Sequence, residues 1–318
     1  MNTSPVSNRI AILKDRAQML AKTRAFFSAR NVTEVDCPIV SASASVDAHI
    51  DLIPVEDVTS RRYLHSSPEY GMKRLLSEGI GDIYQLSHVF RLGEKGRRHN
   101  PEFMMSEWYR IGFSFEEMIQ ETLEYIEMFV GEQPHEYLSY REALQKFVGI
   151  DYVPMTVQDL VAFCREREVL LYDEIVSEGK DALLNVILAK FVEPNLGKDR
   201  LTVLMHYPAT QCALAKVIRK GDEDVAERFE VYYRGVELAN GYHELTDAED
   251  QRHRFEEANE QRVLLGKKKL PPDENFLSAL EVGLPDCCGV AVGFDRLMML
   301  KHGVEDIDTV LPFDWDRA

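Results

Sequence analysis

The stretch Phe90-Arg91-Leu92-Gly93-Glu94-Lys95-Gly96-Arg97-Arg98-His99-Asn100-Pro101-Glu102-Phe103, closely followed by Glu107-Trp108-Tyr109-Arg110, sets cations, carboxylates and two glycines between apolar segments. An arginine meets a phosphate through paired, charge-assisted hydrogen bonds and stabilises charge that builds up at phosphorus. Arg91 follows the apolar-rich run Ile83–Phe90, so it is expected to leave the end of a strand at a fixed angle. Gly93 and Gly96 permit a tight loop carrying Lys95, Arg97, Arg98 and His99. Phe103 offers a flat face to a nucleobase. The two-residue strand period puts Glu107 and Tyr109 on one side of the strand that follows. A charge run read alone is also what a solvated surface loop looks like. Its continuation favours a loop that holds a polyanion and a cation together.

Three further segments extend the pattern. Residues 228–245 read as a β-hairpin around the turn pair Arg234-Gly235. With that loop, Tyr232 faces Glu237 and Glu230 lies diagonally on the same side. Two carboxylates on one sheet face repel each other unless a cation lies between them, and magnesium suits so small a carboxylate set; solvated glutamates on an exposed hairpin are the alternative. Residues 289–300 read as a short buried strand, a glycine turn at Gly293 and a helix beginning near Asp295. A glycine pair before a helix is by itself a weak sign of a nucleotide site. Nearer the amino terminus, Ile10, Leu13, Ala17, Leu20 and Phe27 recur at helical spacing, and Asn31 suits the left-handed residue that ends a helix. Residues 32–38 alternate like a strand and stop at Pro38.

Together these segments resemble the three signature motifs of the class II aminoacyl-tRNA synthetases, in the His-Asn-Pro-Glu-Phe form used by the lysyl enzymes. Residues 91–110 are similar to motif 2, residues 289–300 to motif 3 and the helix and strand ending at Pro38 to motif 1, in that family's order. The resemblance implies an α+β fold, an antiparallel β-sheet flanked by helices, with one catalytic domain over residues 1–318 and a homodimer built around motif 1. It also implies the use of ATP and Mg2+. Arg91 and Arg296 would be catalytic at the phosphates. Glu94, His99, Asn100, Phe103, Glu237, Leu238 and Gly293 would complete ATP binding, with the metal at Glu230 and Glu237. By the same resemblance, Glu107 and Glu244 would grip the distal ammonium of a lysine, with Tyr109 hydrogen-bonding beside them. Ser67, Pro68 and Glu69 would sit by the other amine, and Asn240 by the carboxylate. One departure is visible: the usual motif 2 glutamate two positions after its arginine is Gly93 here. Either Glu94 does that work or the adenine contact from that position is lost.

Lysyl-tRNA synthetases carry an amino-terminal oligonucleotide-binding barrel that reads the anticodon. The helical pattern here already begins at Ile10, so no anticodon-binding OB domain is expected. This resembles the truncated lysyl-synthetase paralogs that attach (R)-β-lysine to elongation factor P. Ala291 stands where the lysyl-tRNA enzymes have glycine. Its methyl would crowd an α-amine while tolerating one moved along the chain, a bias of roughly 1–3 kcal/mol. Transfer of lysine to tRNA or another acceptor, or a non-catalytic lysine-sensing role, remain the other readings.

The rest of the sequence agrees. A net charge of −17, from 37 basic and 54 acidic side chains, disfavours nucleic acid over the molecule as a whole, although Lys267-Lys268-Lys269 offers a local basic patch. The five cysteines, Cys37, Cys164, Cys212, Cys287 and Cys288, show no metal-ligand spacing and suit a reducing compartment. No run is long enough to span a membrane, and a cytoplasmic protein is expected. Ser114-Phe115-Glu116-Glu117 is a capping box ahead of a helical stripe, and another helix is expected through residues 182–190.

Overall fold

The computed structural model describes residues 5–43, 45–56 and 60–318. Two compact units emerge, one from the chain up to residue 132 together with residue 244 onward, the other from residues 133–243.

Helix α1 (Pro5–Ser28) opens the first unit, and Asn31 beyond it is left-handed at φ 57°, as expected. Its buried face only partly matches the expected one: Phe27 is buried and Leu13 and Leu20 are half-buried, but the stripe is turned toward other positions. Ile12, Arg16, Met19, Thr23 and Phe27 are buried, whereas Ile10 is 46% exposed and Ala17 is also exposed. The reason is polar: Arg16 pairs with Asp295 and Thr23 bonds to the Tyr125 hydroxyl at 3.2 Å. Partnered polar groups can sit inside, so apolar spacing alone finds only part of the buried side. The strand expected over residues 32–38 shrinks to β1 (Thr33–Glu34), which pairs in parallel with Ile83 and Tyr84. Beyond it the Gln85 side chain takes over from the backbone ladder, its Oε1 accepting from the Cys37 amide at 2.8 Å.

A small sheet follows, made of β2 (Val40–Ser41), β3 (Pro54–Glu56) and β4 (Arg61–Leu64) in the order β2-β4-β3. Next come α2 (Glu69–Ser77) and the antiparallel pair β5 (Ile83–Phe90) and β6 (Glu102–Ile111). Helix α3 (Phe115–Val130) starts at the expected capping box, with Ser114 Oγ accepting from the Glu117 amide and Glu117 accepting from the Ser114 amide.

The second unit runs through β7 (His135–Ser139), α4 (Tyr140–Phe147), α5 (Val157–Glu166), α6 (Asp173–Ser177), α7 (Lys180–Ile187), β8 (Leu201–Pro208), β9 (Val217–Lys220), β10 (Glu223–Tyr233) and β11 (Val236–His243). β10 is antiparallel to β8, β9 and β11, and β7 joins β8 in parallel. Leu144, Leu160, Leu184 and Ile187 fill a core between helices and sheet. The helix expected through residues 182–190 ends at Ile187 and widens into a π turn, Leu188–Val192, just before Pro194. Proline offers no amide to continue the ladder.

Back in the first unit, the chain forms α8 (Ala248–Leu264), α9 (Glu274–Gly283), β12 (Cys287–Gly293) and α10 (Phe294–His302). β12 lies antiparallel to β6, with Gly289 opposite Tyr109 and Ala291 opposite Glu107. The alternation of β6 then separates two environments. Trp108 packs its ring 5.2 Å from those of both Phe27 and Tyr125, in the helix-covered core. Glu107 and Tyr109 face the other way. Buried Asp295 binds Arg16 and accepts from the Met104 amide at 2.7 Å, so α1, β6 and α10 meet at one carboxylate.

The architecture is α+β, with an antiparallel-dominated sheet and flanking helices, as expected. All five cysteines are free. Among the described residues no helix is long and apolar enough to cross a membrane. Lys267 is no open basic patch, because its ammonium binds the Ala48 and His49 carbonyls and Asp51, the last at 3.1 Å.

Candidate active site

In the first unit, α2, β6 and the segment entering α8 bring three carboxylates together. Ser67 Oγ accepts from the Glu69 amide at 3.0 Å, fixing the first turn of α2, and donates to Glu107 Oε2 at 2.8 Å. Pro68 lies buried between them. Tyr109 donates to Glu107 Oε1 at 2.7 Å, the i, i+2 relation along one strand face. The Glu244 amide donates to the Cys287 carbonyl at 3.0 Å, which fixes that carboxylate beside the start of β12. Glu69, Glu107, Tyr109 and Glu244 are thus brought into one buried cluster, with Ala291 in the pair position next to Glu107. Burial, and then the charge of Glu69, pushes the Glu107 carboxyl up to about 8. The Tyr109 hydroxyl is pushed well above its ordinary value by burial and by Glu107.

Sequence reasoning did not anticipate Lys73. This lysine is completely buried, and its ammonium lies 2.6 Å from both Glu69 and Glu244. Burial alone would drive its proton off, but the charges of Glu244 and Glu69 outweigh that and raise its proton affinity. The available signal was the i, i+4 spacing of Glu69 and Lys73 on one helix. Gly289 was a second omission: a Cβ there would lie 2.3 Å from Tyr109 Cε1 and 2.4 Å from Glu244 Oε1. That glycine is required by packing.

The phosphate-handling candidates of the first unit also converge. The Arg91 guanidinium lies 5.2 Å from the Phe103 ring centroid and 3.6 Å from Glu94. Arg296 Nη2 donates to His99 Nε2 at 2.8 Å, which requires that nitrogen to be unprotonated. Burial and the Arg296 charge depress the His99 pKa accordingly. The loop turns back on itself through paired backbone bonds between Gly96 and His99, at 3.0 and 3.1 Å, with Gly93 at φ 81°. Two of its other cations are committed elsewhere, Lys95 to Asp316 and Arg97 to Glu305, both at 2.5 Å. Asn100 acts as a brace, donating to the Glu102 carbonyl at 2.6 Å and accepting from the Trp315 amide at 3.0 Å. The Arg296 side chain, no closer than 3.5 Å, is the nearest group that a Cβ on Gly293 would meet. A methyl there would make only ordinary van der Waals contact.

In the second unit the β10–β11 hairpin has the expected Arg234-Gly235 turn, both residues at positive φ, and Tyr232 faces Glu237. The register then shifts. Leu238, which is buried, is the extra residue of a bulge, so Glu230 faces Asn240 and is displaced from the diagonal position a regular ladder implies. Glu230 also has a cation of its own: Arg228 Nη2 donates to Oε1 at 2.6 Å, and the Tyr232 hydroxyl donates to Oε2 at 2.6 Å. Arg228 in turn lies 4.3 Å from the Tyr207 ring centroid. These contacts orient the carboxylate, and carboxylate oxygens of this kind would suit a hard cation such as Mg2+. No group of three or more His, Cys, Asp or Glu able to hold a metal occurs among the described residues.

Residues 6–317 match the family described as tRNA synthetases class II (D, K and N), and the chain belongs to that family. Within it, the chain is 44% identical over 312 residues to the elongation factor P–(R)-β-lysine ligase of Haemophilus influenzae, covering 95% of this chain and 94% of that protein. It is 43% identical over 324 residues to the enzyme of the same name from Klebsiella pneumoniae, covering 99% and 97%. The Pasteurella multocida ligase shares 41% over 318 residues, covering 98% and 97%.

Proposed function

We propose that this chain activates (R)-β-lysine with ATP and transfers it to a lysine ε-amine of elongation factor P, as an AMP-forming amino acid–protein ligase. The observation that carries this reading is the buried amine pocket. Glu107 is held by two neutral hydroxyl groups, beside Glu69 and Glu244 and opposite Ala291. A buried carboxylate without a cation beside it is a receptor for an ammonium ion. A diamino acid brings two.

In the first step the β-lysine carboxylate attacks the α-phosphorus of ATP and pyrophosphate leaves. Arg91 and Arg296 stabilise the charge on the phosphates, Phe103 stacks on the adenine, and Glu94, His99, Asn100, Leu238 and Gly293 shape the ATP site. Mg2+, held by Glu230 and Glu237, would neutralise phosphate charge. Asn240 receives the substrate carboxylate, and Ser67, Pro68 and Glu69 flank the second amine. In the second step the acceptor ε-amine attacks the activated carbonyl, an amide forms and AMP departs.

A homodimer fits the uncovered apolar residue Ile10 on α1, and residues 1–318 act as one catalytic domain in the cytoplasm. Pyrophosphate exchange tests the first step: exchange stimulated by (R)-β-lysine is expected, and none with any lysine isomer refutes adenylate formation. Mass spectrometry of elongation factor P after incubation with ATP and β-lysine tests the second. An unmodified factor beside charged tRNA would shift the acceptor to tRNA.

A further inference from the structure

The amine pocket holds three carboxylates and one lysine, and their contacts divide unevenly. Lys73 Nζ is 2.6 Å from Glu69 Oε1 and 2.6 Å from Glu244 Oε2. Glu107 is held by the hydroxyls of Ser67 and Tyr109 instead. Two aromatic faces complete the surroundings of the ammonium, with Tyr109 of β6 at 6.0 Å and Phe276 of α9 at 5.8 Å from the ring centroids. The charged and titratable groups facing Glu107 are Glu69 from α2, Glu244 from the segment before α8, Tyr109 from its own strand and the Cys37 thiol from the segment after β1.

We propose that Lys73 is a positioning residue of this pocket: clamped between Glu69 and Glu244, it fixes both carboxylates and balances their charge, leaving Glu107 to change protonation when a diamino acid enters. The proposal rests on the diamino-acid reading above. The physical reason is charge balance. Three carboxylates in one buried cluster cannot all stay ionised without a cation, and a single lysine in contact with two of them assigns the remaining proton to the third. The incoming ammonium displaces that proton to solvent, and the pocket is set to accept a cation with its geometry already in place. A neutral residue at position 73 would leave two carboxylates sharing the loss, and one of them would take up a proton.

The test can be read without any substrate. The pH dependence of unfolding counts the protons that the folded state holds in excess over the unfolded chain. Between pH 5 and 8 the wild-type cluster is expected to hold about one excess proton, Lys73→Met about two, and Lys73→Met with Glu69→Gln about one again. A lysine that merely fills space would change stability by a constant amount at every pH, and the second substitution would not restore the slope. Parallel pH slopes for wild type and Lys73→Met overturn the proposal.

Where Lys73→Met does not fold, titration calorimetry of wild type with lysine in two buffers of different ionisation enthalpy decides. Release of about one proton per bound lysine near pH 7 is expected; release of two or more, or of none, overturns the assignment. Absence of pyrophosphate exchange would remove the adenylate-forming reading while leaving the unfolding slopes to judge Lys73.

Discussion

Gly289→Ala is the sharpest perturbation of this pocket. The new methyl would lie 2.3 Å from Tyr109 Cε1, 2.5 Å from Tyr109 Cδ1 and 2.4 Å from Glu244 Oε1. Carbon atoms rest at about 3.5–4.0 Å, so one partner must retreat by about 1 Å or more. Neither has room. Tyr109 is 2% exposed with its hydroxyl on Glu107, and Glu244 is 1% exposed and paired with Lys73. Overpacking a core costs roughly 1–3 kcal/mol, and parting a buried ion pair roughly 3–5 kcal/mol. Partial relaxation leaves an expected loss of about 3 kcal/mol or more, a fall in Tm on the order of 5–10 °C. The assay is thermal unfolding beside pyrophosphate exchange at varied lysine concentration, with Gly293→Ala as the control because its Cβ meets nothing nearer than 3.5 Å. Gly289→Ala should lose both stability and amino-acid affinity, whereas Gly293→Ala should keep its Tm and weaken ATP use. A Gly289→Ala protein with wild-type Tm and wild-type KM for lysine would refute this account of the pocket.

Glu107 titrates near 8 in the folded chain against 4.5 unfolded, so the stability it contributes is full below about pH 4.5 and is lost as pH rises to about 8. Unfolding of Glu107→Gln across pH 5–9 should lack that decline, and a wild-type curve parallel to it would count against the assignment. Ala291→Gly, opposite Glu107 on β12, should improve the use of α-lysine relative to β-lysine by about 10- to 200-fold in kcat/KM; an unchanged ratio would show that the methyl does not discriminate. Asp295→Ala strips buried Arg16 of its partner and the Met104 amide of its acceptor, and should cost roughly 3–5 kcal/mol in chemical unfolding. A loss below about 1 kcal/mol would mean that the Arg16 charge finds another partner.

Strand and loop patterns carried the architecture well, because alternation and turn chemistry are local. The β5–loop–β6 unit, the Arg234-Gly235 turn, the capping box at Ser114 and the strand-to-helix step at Gly293 all follow from spacing. What failed to show was non-local. The buried side of α1 is set by Arg16 and Thr23 finding partners far along the chain, which apolar periodicity cannot register. The short β1 reflects a side-chain amide from Gln85 standing in for a neighbouring strand. Lys73 reads as an ordinary helix-surface lysine until Glu244, distant in sequence, is seen to meet it. In the loop after Phe90 the sequence could count the cations but could not divide them, and Lys95 and Arg97 turn out to be bound to Asp316 and Glu305. The bulge at Leu238 is likewise silent in a run of β-prone residues.

The Arg16–Asp295 pair has a mechanical side. One end belongs to the helix that offers Ile10 to its surroundings, and the other sits immediately before Arg296 at the start of α10. If the proposed homodimer forms on α1, that helix is joined through the buried Arg16–Asp295 pair to the residue preceding Arg296, whose guanidinium donates to His99. On that proposal assembly and phosphate binding would be linked, and dilution of the protein should lower ATP turnover before it lowers the thermal midpoint.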